Sequence, residues 1–380
     1  MTSPLEGVKV LDLSRILAGP WVGQTFADLG ADVIKVEAPD GDDTRRWGPP
    51  FVERDGDTTA GYYYGANRGK RSITLDFKTD EGLEAVRRLA ARSDILIENY
   101  KVGGLKKFGL DYETLSKANP GLIYCSITGF GQTGPKSHRA GYDYPIQGMS
   151  GIMSITGEPD GAPQRVGVAL TDILTGLYSS IGILSALRMR DETGRGQHID
   201  MALLDTGVAF LANQAMNYQL TGLPPVRTGN FHPNIVPYQV FEVADGHIII
   251  GTGSEPQYAK LCEILGLTHL VKDSRFAKNA DRVLNREALI ALLEEQTRTW
   301  SKADLFAELE AQSIPAGPIQ DIGEALSDPQ IQARGVRIEP EGVPGLRTPI
   351  KFSDADLTLD KTAPKLGEHT EEILKEIGLA

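Results

Sequence analysis

Asp172 is the residue in this chain best placed to do chemistry. It closes the run Val166-Gly167-Val168-Ala169-Leu170-Thr171-Asp172, which reads as a buried strand ending in a carboxylate, and a helical pattern starts directly after it. A carboxylate there can cap the helix, and the same N–H groups keep it ionised and fixed in direction. Capping alone would explain the residue type, so the local sequence leaves both roles open. The basic residues form a second constellation. Lys35, Arg45, Arg46, Arg68, Lys70, Arg71, Lys106 and Lys107 all fall in the first third of the chain. A one-sided cationic cluster near the loops of a sheet suits a phosphate-bearing ligand, although a solvated charged face would look the same.

Other chemistries lack their residues. The six histidines, at 138, 198, 232, 247, 269 and 369, show no metal-ligand spacing with another His, Cys or carboxylate, so no metal site is expected. No Gly-x-Ser-x-Gly elbow marks a serine hydrolase. The first strand–helix–strand unit ends on Glu37, where dinucleotide-binding folds keep an acid for the ribose. The stretch Ser14-Arg15-Ile16-Leu17-Ala18-Gly19-Pro20 lacks their glycine fingerprint, and there is no Walker lysine motif.

The elements that must position these residues follow from hydrophobic period and turn signals. Val8–Leu13 reads as a strand, followed after Gly19-Pro20 by a helix to Leu29 and by the strand Asp32–Glu37. Thr79 can cap a helix whose first turn holds Asp80 and Glu81 and whose apolar face is Leu83, Val86, Leu89 and Ala90. Asp94–Asn99 and Leu122–Ile127 are further strands, and repetition at this spacing implies a parallel sheet with helical crossovers. Ile173–Met189 is helical up to the stop at Gly194-Arg195-Gly196, Gln197–Met201 is a strand, and Leu203–Leu220 is a second helix. Tyr238–Val243 and His247–Gly251 flank Asp245-Gly246 as a hairpin, and helical patterns follow at Gln257–Leu265, Arg286–Thr299 and Lys302–Gln312. The expected fold is α/β. A large parallel-sheet domain takes residues 1–200 and 325–380, and a small α+β domain takes 238–314. The linkers lie at 201–237 and 315–324.

Composition sets the outer limits. With 39 Lys and Arg against 51 Asp and Glu, the net charge is −12, which disfavours nucleic acid and anionic membrane as partners. Cys125 and Cys262 lie in apolar surroundings and read as buried free thiols of a reducing compartment. No signal-peptide pattern opens the chain and no apolar run is read as long enough to span a bilayer, so a cytoplasmic protein is expected.

Several segments together resemble one family, the class III CoA-transferases, which include formyl-CoA and carnitine CoA-transferases and the related α-methylacyl-CoA racemases. The matching pieces are Leu5–Asp12, Ala18-Gly19-Pro20, Gly30–Glu37, Asn67–Asp76, Ile97–Tyr100, Ser126–Pro135, Gly141-Tyr142-Asp143, Thr171-Asp172, Gly194–Gln197 and Leu366–Thr370. They run from one end of the chain to the other in the family's order. The resemblance implies a Rossmann-like large domain made from both termini, a small inserted domain, and an interlocked homodimer. It implies an acyl-CoA and a small carboxylic acid as substrates, with no cofactor beyond coenzyme A itself.

Carried over residue by residue, the resemblance makes Asp172 the catalytic nucleophile. Asn99, Tyr100 and Lys107 fall where family members contact CoA, Lys70 and Arg71 are further phosphate partners, and the backbone near Leu17 lies along the ligand. Gly251-Thr252-Gly253-Ser254 is the candidate glycine loop, shorter than that of formyl-CoA transferases, with Gly253 a candidate oxyanion donor. Tyr142 and Asp143 belong to the same site. The racemase branch is similar over the whole chain but places a histidine where this sequence has Tyr142, a poor base at neutral pH. A CoA-binding protein without catalysis is a third possibility. The linker Thr228–Gln239 looks like that of succinyl-CoA:glutarate CoA-transferases, and a dicarboxylate needs a cation for its distal group, for which His232, Arg227, Arg139 and Arg15 are the candidates.

Overall fold

The computed structural model describes residues 2–380. The chain divides into two compact units. The first contains residues 1–153, 165–223 and 329–380, and the second contains 154–164 and 224–328. The division runs elsewhere than the sequence suggested: the helix read at Leu203–Leu220 belongs to the first unit and not to a linker, and it is broken at Phe210-Leu211 into Leu203–Ala209 and Ala212–Thr221.

A six-stranded parallel sheet is the frame of the first unit. Its strands are β1 (Lys9–Asp12), β2 (Asp32–Glu37), β3 (Arg71–Thr74), β4 (Ile95–Glu98), β5 (Ile123–Thr128) and β6 (His198–Ala202). They lie in the spatial order β3-β2-β1-β4-β5-β6. Chain order reverses between β1 and β4, and in such sheets the crevice outside the carboxyl ends of those two strands is where ligands bind. β4 and β5 are buried along their whole length, as strands covered on both faces must be.

Alternation along the strands sorts the core into two layers. Val10, Ile95, Ile97, Ile123, Cys125 and Ile127 face α1 (Ala18–Asp28), through Val22 and Phe26, and the long helix Leu170–Thr193, through Ile183 and Ala186. Leu11, Leu96, Ile73 and Tyr124 face the other way, onto α2 (Asp80–Arg92), through Val86 and Leu89, and onto Ile373 and Ile377 near the C-terminus. Thr79 caps α2 as read, accepting the Gly82 N–H at 3.1 Å. Further along the chain lie α3 (Asp143–Met149) and the long helix, α4. Where α1 meets α4, a Cβ on Gly176 would stand 2.9 Å from the Ala18 carbonyl oxygen, so glycine sets how closely the two helices approach.

α4 corrects two sequence readings. The segment before it is not a buried strand: Val168 is exposed, and the helix already starts at Leu170. With 24 residues, α4 is also long and apolar enough, by length and composition, to cross a membrane. Its buried face is nevertheless made of small and hydroxyl residues, Thr171, Thr175, Gly176, Ser179 and Ser180 among them.

In the second unit an antiparallel sheet joins β7 (Tyr238–Val243), β8 (Gly246–Gly251) and β9 (Ala316–Pro318). The β7–β8 hairpin turns at Asp245-Gly246, with Gly246 at φ 140°, open to glycine and strained for other residues. Helices Glu255–Ile264, Arg286–Thr297 and Lys302–Ala311 pack on it around Phe241, Ile248, Ile250, Leu261, Leu289 and Leu305.

Candidate active site

A cleft opens at the carboxyl ends of β1 and β4. Its lining includes Arg15–Ala18, Asn99–Val102, Ile127–Gly129, Ser137, Arg139–Tyr142 and Asp172. The loop after β1 is pinned from two sides. The Asn99 side chain brackets Arg15, accepting its N–H at 2.9 Å and donating to its carbonyl at 2.6 Å. Ile16 stands at φ 72°, a left-handed conformation that a β-branched residue adopts only under strain, and its N–H is held by the Asp42 carboxylate at 3.2 Å. Burial works against charge on Asp42, but Lys35 at 3.1 Å and the Thr44 N–H outweigh it and hold the carboxyl at about 2. The strained loop thus hangs on a buried, permanently ionised aspartate.

Asp172 is the third residue of α4 rather than its cap. The residue at the cap position, Ala169, has no side chain to offer. The capping is done by Asp143 at the start of α3, whose Oδ1 accepts the Thr171 N–H at 2.8 Å and the Thr171 hydroxyl at 2.7 Å. Asp172 is left with carboxylate oxygens that accept no hydrogen bond among the described residues. Burial, with a further push from the Asp143 charge, raises its carboxyl to about 7. An under-solvated carboxylate facing a cleft is what nucleophilic attack on an activated carbonyl requires.

The residues singled out from the sequence separate into groups. The structure brings Leu17, Asn99, Tyr100, Arg15, Arg139, Tyr142 and Asp172 together in the cleft. The Arg15 guanidinium lies 5.4 Å from the Tyr100 ring centre and 3.9 Å from Asp43. That of Arg139 rests 5.2 Å over Phe130 and, among the described residues, has no carboxylate partner. Lys107 lies outside the lining, exposed on the turn Lys106–Phe108 with its ammonium 4.7 Å over Phe108.

Lys70 and Arg71 are corrections. The Lys70 ammonium is fully buried and spends its donors on Asp12 Oδ2 at 2.8 Å, Asn67 Oδ1 at 2.8 Å and the Pro20 carbonyl at 2.9 Å, so it has none for a phosphate. Arg71 pairs with Asp32, Glu372 and Glu376 at 2.7–2.9 Å and ties the C-terminal helix to the edge of the sheet. Glu37, which stands where a ribose ligand would, is consumed as well. Arg45 grips both its oxygens at 2.7 Å, and Ser72 and Tyr63 add hydroxyl donors.

The second-unit candidates are occupied locally. Arg227 donates to the carbonyls of Glu158 and Gly161. His232 accepts the Asn234 N–H on Nδ1, and burial together with the Arg286 charge lowers its pKa, so it is a poor cation for a carboxylate. The Gly253 N–H, expected to face an oxyanion, is given to Gln257 Oε1 at 2.9 Å.

Sequence reasoning missed Lys101, a third cation of the cleft, and Tyr62. The Tyr62 hydroxyl is raised in pKa by burial and then by the charges of Asp172 and Asp143, which places the phenol in the field of the nucleophile, and Trp47 packs its ring against it. The run Gly61-Tyr62-Tyr63-Tyr64 was the only available signal. Among the described residues lining the cleft there is no histidine to pair with Asp172 as a second base.

Comparison with known proteins agrees with this geometry. Residues 5–370 match CoA-transferase family III. The chain is 54% identical to the succinate–glutarate CoA-transferase of Agrobacterium fabrum, over 98% of this chain and 96% of that one. It is 43% identical to the human succinyl-CoA:glutarate CoA-transferase, over 98% and 86%. Its fold superposes on the crystal structure of a CaiB/BaiF family protein from Brucella suis with a TM-score of 0.90 at 61% identity, covering 99% of this chain and all of that one. The chain therefore belongs to CoA-transferase family III and is an enzyme that transfers coenzyme A.

Proposed function

We propose that the enzyme moves CoA from succinyl-CoA to a C4–C6 dicarboxylic acid of the glutarate class, with Asp172 as the covalent carrier. The observation that supports this most is the pairing of an unbonded carboxylate, Asp172, with three cations, Arg15, Lys101 and Arg139, in one cleft of an acidic protein. Asp172 attacks the thioester carbonyl of succinyl-CoA, the CoA thiolate leaves, and a mixed aspartyl–succinyl anhydride forms. The thiolate then attacks the Asp172 carbonyl, releasing succinate and leaving an aspartyl-CoA thioester. The acceptor carboxylate attacks that thioester to form a second anhydride, and the thiolate attacks the acceptor's acyl carbon. The new acyl-CoA departs with Asp172 restored, and no proton is consumed.

Each tetrahedral intermediate needs N–H donors for its oxyanion. The N–H groups of Leu17 and Ala18, at a helix start where no intrahelical acceptor exists, supply them. Arg139, whose guanidinium has no carboxylate partner among the described residues, takes the distal carboxylate of the acid, and Arg15 and Lys107 take CoA phosphates. Exposed apolar residues along α4, including Leu177, Ile181 and Leu184, support a homodimer in which a second copy covers them.

The test is succinyl-CoA incubated with a panel of mono- and dicarboxylic acids, followed by mass of the thioesters formed. Glutaryl-CoA should accumulate, and Asp172→Asn should form neither product nor an enzyme–CoA thioester. If no new thioester appears while a 2-methylacyl-CoA gains deuterium at its α-carbon, the transferase assignment to this site is wrong.

A further inference from the structure

Among the described residues no group donates a hydrogen bond to the Asp172 carboxylate, so its position depends on the backbone turn that carries it. That turn is fastened by two buried side chains outside the cleft lining, the capping Asp143 and Gln147. Gln147 lies four residues after Asp143 on α3, on the same helical face, and is fully buried. Its Nε2 donates to Asp143 Oδ2 at 2.7 Å and to the Val168 carbonyl at 3.3 Å, while its Oε1 accepts the Val166 N–H at 2.9 Å. The Val168 carbonyl also takes the Leu170 N–H at 2.8 Å, at the first residue of α4. One amide therefore grips the strap that enters the helix at two backbone groups and the aspartate that caps it. Replacing the amide with a hydrocarbon strands a backbone N–H and deprives the capping carboxylate of a donor.

We propose that Gln147 is a positioning residue for the nucleophile, bracing the turn that aims Asp172 through Asp143 and the Val166–Val168 strap. The proposal rests on Asp172 being the nucleophile. A misplacement of about 1 Å in a near-attack geometry costs on the order of 100-fold in rate, far more than it costs in binding. The titratable group facing the amide is Asp143; the strap and Thr171 contribute only backbone and hydroxyl groups.

The experiment uses the full-length enzyme with succinyl-CoA and glutarate. Gln147→Leu should lower kcat about 10- to 100-fold, with the KM for succinyl-CoA and calorimetric binding of CoA changed less than about twofold. Gln147→Glu keeps the acceptor for Val166 but can donate to Asp143 only while protonated, because two facing carboxylates must share a proton. Relative to wild type at each pH, it should recover near pH 6 and fail near pH 8.5. A Leu variant that folds, binds CoA and turns over within about twofold of wild type overturns the proposal. If that variant does not fold, the Glu variant decides, and an activity ratio equal at the two pH values overturns it. If the wild type transfers CoA to no acid, the nucleophile assignment falls and the brace is judged separately. Carbodiimide labelling of Asp172, followed by peptide mass across pH, should then shift its midpoint by about half a unit or more in Gln147→Leu, and an unshifted midpoint rejects the brace.

Discussion

At the scale of single residues, Asp172 shows how one environment sets both rate and stability. Its carboxyl is raised to about 7, first by burial and then by Asp143. Attack requires the ionised form, so kcat/KM should rise with pH along a one-proton limb with its midpoint near 7, reaching a plateau above it. Stability has the opposite sign. The folded state holds the proton more tightly than the unfolded one, so the fold loses stability as pH climbs from about 4 to about 7 and stays level beyond. A shift of this size corresponds to at most a few kcal/mol. Asp172→Asn should therefore melt higher than wild type at pH 8 and close to it at pH 4, while making no aspartyl-CoA. Calorimetry at the two pH values checks this.

The sequence made the aspartate legible through its place at a helix start, and it assigned the cap to the wrong aspartate. The true cap, Asp143, comes from another helix, and no local pattern records which carboxylate reaches the Thr171 N–H. The same limit explains Lys70 and Arg71. Residue type marks a cation, but only strand register puts Arg71 opposite Ile34 on β2, beside Asp32, and only the packing of α1 encloses Lys70. Removing Lys70 leaves Asp12 buried without its nearest cation, so Lys70→Met should destabilise the fold by about 3–5 kcal/mol in denaturant titrations. Exposed Lys107 offers the contrast: Lys107→Ala should leave stability within about 0.5 kcal/mol while raising the KM for succinyl-CoA.

At the scale of elements, the four-residue edge strand Arg71–Thr74, with polar residues at both ends, was not read, whereas five of the six sheet strands were legible because a buried parallel strand writes its burial directly into sequence. The strap before α4 was misread for the same reason. Val166–Leu170 alternates small and apolar residues without any strand beside it, and its partner is the Gln147 side chain instead of a ladder. The α1 loop is a second case. Ile16 in a left-handed conformation cannot be inferred from its residue type, which argues against it.

At the scale of the whole molecule, α4 presents two faces with different jobs. The small and hydroxyl residues pack inward, whereas Leu177, Tyr178, Ile181 and Leu184 are exposed at helical spacing. If a second copy covers that face, Ile181→Glu should shift sedimentation equilibrium toward the monomer, and an unchanged distribution would place the subunit contact elsewhere. Hydrophobic period marks Ile173–Met189 as helical without separating the two faces, because a face that a partner would cover has much the same composition as one the chain buries itself.

The Arg71 clasp has a consequence for how the protein is made. The sheet edge at β3 receives the His369 N–H on the Ser72 carbonyl, and Ile373 and Ile377 complete the core beneath it. These residues leave the ribosome long after β1 and β2. The second unit is nearly contiguous and can fold while synthesis continues, but the first must wait with an apolar sheet face uncovered until Ile373 and Ile377 have been made. A chain stopped short of residue 369 would carry every residue of the cleft and still lack the last piece of the layer beneath it.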